Sequence, residues 1–116
     1  RIPTREWHVA HRGLESSYAS SPALEMSVLE MDSDPVTAKA RIMEKARKAV
    51  EEDRAEVIIL GCAGLAGYSA DIERELGVVV LDPTSVAFKV AEAMADLGLH
   101  HSKAGRFSYP PKKEIK

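Results

Sequence analysis

Two four-residue runs, Val57-Ile58-Ile59-Leu60 and Val78-Val79-Val80-Leu81, most constrain how this chain can fold. Six of their eight residues are β-branched and neither run alternates with polar side chains. That pattern suits strands covered on both faces of a parallel sheet. The segment between them, Gly61 to Gly77, contains the helix-like stretch Leu65–Leu76 and closes on a glycine. It is long enough for the crossover that joins two parallel strands.

Two helices announce their own starts. Asp34-Pro35 opens a run to about Asp53, with Val36, Ala40, Met43, Ala46 and Val50 at helical spacing. The aspartate can cap free N–H groups, and proline sits where its missing donor costs nothing. Asp82-Pro83 repeats the device ahead of Val86, Val90, Met94 and Leu97, and Gly98 is a natural stop. The alternating run Leu24–Met31 suggests one more strand. Trp7, Val9 and Ala10 suit a helix stopping near Gly13, followed by a polar loop, Ser16–Pro22. From His101, with Pro110-Pro111 ahead, the tail reads as irregular. The order α, β, α, β, α, β, α implies an α/β fold, a three-layer sandwich around a mainly parallel sheet.

Composition narrows the functions open to such a fold. At 116 residues there is room for one domain or part of one. Cys62 is the sole cysteine, so an internal disulfide and a multi-cysteine zinc site are both excluded. The longest apolar runs fall far short of the roughly 18 residues of a membrane span. No basic-then-apolar leader opens the sequence, and a cytoplasmic location is the expectation. Net charge is −2, but the residues from His100 onward carry +4 and the rest −6. Such a tail is solvated or packs on a sister subunit; without aromatic interleaving or a binding motif it does not indicate nucleic acid. His8 and His11 lack a third ligand nearby and suit a surface pair, and no metal site is expected.

The chemistry concentrates in Leu60-Gly61-Cys62-Ala63-Gly64-Leu65-Ala66-Gly67, where a strand hands over to a helix. Ligands of open α/β sheets bind beyond the carboxyl ends of strands. Gly61 and Gly64 allow a tight turn with accessible N–H groups, and a helix start there favours anions. The glycines at 61, 64 and 67 miss the dinucleotide fingerprint, and no Gly-Lys-Ser/Thr follows. Leu60 stands where a nucleophile elbow needs glycine. Two readings stay open for Cys62: a base or nucleophile at a strand end, or a small buried apolar side chain. Tyr68 and Tyr109 can serve a ligand or packing equally.

The run from Ala49 through Gly61-Cys62-Ala63-Gly64 resembles the second cysteine motif of hydantoin racemases, in the aspartate/glutamate racemase superfamily with the allantoin racemases. The likeness continues through Glu75–Pro83 and includes Leu97-Gly98-Leu99 and Ser102-Lys103-Ala104-Gly105. It implies one lobe of a two-lobe racemase that needs no cofactor, with the second lobe at about 15–82 and a return segment toward the first lobe at about 83–116. It further implies that Cys62 is one of two opposed acid–base cysteines, that Gly61, Ala63 and Gly64 bind a substrate carbonyl, and that the substrate is a small carbon acid such as a 5-substituted hydantoin. Family members are about twice this long, and no cysteine precedes Cys62 here. Together with the absent initiator methionine, this suggests a C-terminal portion, inactive by itself. The helix from Thr84 to Leu97 then lacks its packing partner, which points to a homo-oligomer or another covering chain. The alternatives are an arylmalonate decarboxylase-like enzyme, which uses one cysteine, and an inactive assembly module.

Overall fold

The computed structural model describes residues 4–113. Five α-helices and two strands follow in the order α1 (Thr4–His11), α2 (Val28–Ser33), α3 (Pro35–Glu51), β1 (Val57–Ile59), α4 (Ser69–Leu76), β2 (Val79–Leu81) and α5 (Pro83–Asp96). Single 3₁₀ turns occupy Glu15–Ser17 and Ala63–Leu65. The chain divides into two compact units, one ending at Thr84 and one beginning at Ser85.

The first unit is built around the β1–α4–β2 crossover. The strands pair in parallel with Val57 opposite Val79, Ile58 opposite Val80 and Ile59 opposite Leu81. Val80 and Leu60 are buried and Ile58 partly so, joining Met31 of α2, Ala38, Ile42, Met43 and Ala46 of α3, Leu65 of the 3₁₀ turn and Ile72 of α4 in one core. Side chains alternate across a strand, so Val57, Ile59, Val79 and Leu81 fall on the opposite face. That face is open, with Ile59 68% exposed. The α/β class holds, with helices packed on one side of a short sheet. Burial of both strands on both faces does not hold, since Val57, Ile59, Val79 and Leu81 are all exposed.

Three local expectations also change. Leu24–Met31 is no strand: Glu25 turns at φ +54° and the chain enters α2 at Val28. Ser27 Oγ accepts the Glu30 N–H, while the Glu30 carboxylate accepts the Ser27 N–H at 2.7 Å, a reciprocal cap that favours helix over extended chain. Leu24 and Met26 still pack against the core from irregular backbone. In α3 the buried stripe is Ala38, Ile42, Met43, Ala46 and Ala49, while Val36 is 80% exposed. An alanine-rich helix offers two apolar stripes, and the position of α4 and the sheet selects between them. Finally, α4 begins at Ser69, four residues later than expected, after the 3₁₀ turn and Gly67 at φ +98°.

The expected helix punctuation is present. Asp34 Oδ1 accepts the Thr37 N–H at 3.0 Å and Asp82 Oδ1 accepts the Thr84 N–H at 2.9 Å. Gly77 closes α4 in the left-handed region at φ +67°. Lys39–Asp71 and Arg47–Glu75 ion pairs tie α3 to α4. In the second unit, α5 buries none of its residues, and Phe88 and Val90 are well exposed. Beyond it the chain is irregular, with His101 stacked on Phe107 and Lys103 Nζ lying 5.0 Å from the Tyr109 ring centre.

Candidate functional site

β1 ends at Ile59, Leu60 is buried beneath the sheet end, and the next residues emerge at its carboxyl edge. Leu60 donates its N–H to Leu81 O at 3.0 Å, which holds that edge against β2. Gly61, Cys62, Ala63 and Gly64 are all exposed, and Leu65 is buried as the anchor of the loop. Cys62 has extended backbone, φ −153° and ψ 144°, and caps the 3₁₀ turn. Its carbonyl accepts the Leu65 N–H at 3.0 Å and its sulfur accepts the Gly64 N–H at 3.4 Å.

The thiol is therefore a surface group held by a backbone donor, and the reading of Cys62 as a small buried apolar side chain fails. Six residues lie between Cys62 and the start of α4 at Ser69. The local donor at the sulfur is Gly64 N–H.

Neighbouring side chains set the space around this loop. A Cβ placed on Gly64 would lie 3.7 Å from Cys62 Sγ and 3.9 Å from Val28 Cγ1. One placed on Gly61 would lie 3.3 Å from a guanidinium nitrogen of Arg5, tighter than ordinary packing. The two glycines thus keep the loop thin where α1 and α2 approach it. Val28 was not among the residues singled out from sequence; the Ser27-x-x-Glu30 cap is the signal that places it at a helix start.

Other candidates sit elsewhere. Tyr68 is half-buried, packs on the core and precedes α4, so its ring serves packing. His11 stacks on Trp7 at 4.0 Å and His8 meets the same ring edge-on. Among the described residues no three His, Cys, Asp or Glu side chains are grouped to hold a metal ion. No described helix is long and apolar enough to cross a membrane.

Comparison with known proteins agrees with this arrangement. Residues 2–91 match the family described as Asp/Glu/Hydantoin racemase. A hydantoin racemase of Pseudomonas sp. (strain NS671) is 39% identical over 102 residues, 88% of this chain and 41% of that protein. One from Paenarthrobacter aurescens is 37% identical over 106 residues, 91% of this chain and 45% of its own length. The crystal structure of allantoin racemase from Pseudomonas fluorescens superposes with a TM-score of 0.82 at 39% identity, across 99% of this chain and 49% of that one. Allantoin racemase from Klebsiella pneumoniae gives 0.83 at 32% identity, across 96% and 45%. The chain spans under half the length of these relatives. With a matching family model over most of its length and a glycine-flanked thiol at the end of its first strand, the chain belongs to the Asp/Glu/hydantoin racemase family.

Proposed function

We propose that this chain is the second lobe of a racemase acting on 5-substituted hydantoins or related carbon acids, with Cys62 as one of two opposed acid–base groups. One observation carries the reading: an exposed thiol at the carboxyl end of β1, its sulfur oriented by Gly64 N–H, within the family match.

The C5–H bond of a hydantoin lies beside a carbonyl. The thiolate takes that proton, the C–H electron pair passes into the carbonyl to leave an enolate, and an acid on the opposite face returns a proton to C5. The product has the inverted configuration, Cys62 is left as the thiol, and the opposite group is left as the base that runs the reverse direction. Donors placed at the enolate oxygen stabilise the charge that develops there. Gly61 and Ala63 offer backbone N–H groups for that role, while the Gly64 N–H is given to the sulfur. The opposing group comes from a companion lobe, because this sequence has no second cysteine.

The test is Cys62→Ser in a polypeptide carrying both lobes, with C5 hydrogen exchange followed in deuterated water. Exchange from at least one enantiomer is expected to fall by two or more orders of magnitude, the usual scale of general acid–base catalysis. Undiminished exchange from both enantiomers defeats the reading. One-sided protonation after loss of carbon dioxide, as in arylmalonate decarboxylases, is favoured only by the cysteine count; exchange without carbon dioxide release separates the two.

A further inference from the structure

The site at Cys62 has an apolar neighbour that comes from a distant part of the chain. Val28 is the first residue of α2, and a Cβ placed on Gly64 would lie 3.9 Å from its Cγ1 and 3.7 Å from Cys62 Sγ. The Ser27–Glu30 cap sets the direction in which α2 enters, and Met31, one turn on, is buried in the core. Val28 itself is 49% exposed, so much of its side chain remains available to a ligand.

We propose that Val28 is a specificity-determining residue, the wall against which the substrate's 5-substituent packs, favouring alkyl and aryl substituents over charged or strongly polar ones. The inference rests on the reading of Cys62 as the acid–base group. A reacting C5 must touch the sulfur, and its substituent is one bond away. An apolar group that shares a near neighbour position with the sulfur is then in reach of that substituent and rewards apolar surface with burial. With glycine at 64, no side chain occupies the position that would lie 3.7 Å from the sulfur and 3.9 Å from Val28 Cγ1.

The chain's one thiol makes the test direct. Methanethiosulfonate reagents transfer their alkylthio group to the thiolate, forming a disulfide and releasing methanesulfinate, and mass spectrometry follows the rate at Cys62. Three reagents are compared: benzyl, cationic trimethylammonioethyl and anionic sulfonatoethyl. Val28→Asp is expected to raise the cationic-to-anionic rate ratio about fourfold and Val28→Lys to lower it about fourfold, as one unit charge a few contacts away in water acts on opposite reagents. Both variants should slow the benzyl reagent severalfold relative to a methyl reagent, and Val28→Ile should restore it. The same charges placed at Val36 on α3 should leave the ratio unmoved. An aspartate at the first position of α2 suits the helix dipole, so folding is retained there. Labelling of Cys62 with unchanged ratios in both charged variants overturns the role of Val28 and leaves the cysteine reading standing. A Cys62 that resists every reagent in the folded wild-type chain defeats both.

Discussion

Asp71 holds the cation of Lys39 from α3 and that of Arg74 from its own helix. The hydrogen bond from Lys39, then that from Arg74, keeps its carboxyl below the ordinary aspartate range. Asp34 and Glu30 are lowered in the same direction by the bonds they accept at the starts of α3 and α2. A carboxyl lowered on folding contributes stability above its unfolded pKa and loses it as the pH falls through the folded value. All three contributions are therefore in place above about pH 4 and disappear below it. Denaturant unfolding measured from pH 7 to pH 2 is expected to show falling stability at the acid end, with a smaller decline in an Asp34→Asn/Asp71→Asn variant. An equal decline in that variant would show that these carboxylates do not carry the acid sensitivity. Because all three are solvent-facing, salt should weaken the contribution of Asp71 most, its partners being full charges.

At the scale of elements, the clearest dependence on a single backbone position is at the end of α4. Gly77 turns the chain at φ +67° between the helix and β2, with open space where a Cβ would project. Gly77→Ala therefore meets no atom, and its cost is purely the left-handed backbone, about 1 kcal/mol. Equilibrium unfolding checks this, and a variant as stable as wild type would show that the turn can move. This turn was legible in sequence, as were both Asp-Pro starts, because each rests on a residue whose backbone or capping chemistry is local. The segment Leu24–Met31 departs from the expected strand for a related reason. Alternation suggested a strand, but Ser27 and Glu30 cap one another across three residues, and that local satisfaction of donors outweighs a weak pattern of period two. The cap was visible in the sequence; its priority over the alternation was not.

For the molecule as a whole, the bare face of the sheet is the dominant feature. Val57, Ile59, Val79 and Leu81 are β-branched or large apolar residues standing in water, while Val80 between them is buried. Ile59→Lys should change the chain's unfolding free energy by less than about 1 kcal/mol, whereas Val80→Lys, which buries an unpaired charge, should abolish cooperative folding. Thermal melts of the two variants distinguish a truly open face from one covered in solution. A strongly destabilising Ile59→Lys would indicate that another surface packs there. The exposed residues of α5 follow the same logic, since a helix with an apolar stripe gains little from forming unless the stripe is covered.

What the sequence determined by itself is local: the Asp-Pro starts of α3 and α5, the glycine stop after α4, the two β-branched strands, and that Cys62 stands between a strand and a glycine-rich turn. These follow from backbone dihedral limits, capping donors and side-chain periodicity, all of which act over a few residues. Only the tertiary structure decided which stripe of α3 is buried, which face of the sheet is open, and that Val28 meets the cysteine loop across more than thirty residues of chain. Those outcomes depend on how separate elements pack, and packing answers to shape and available apolar area rather than to sequence neighbours.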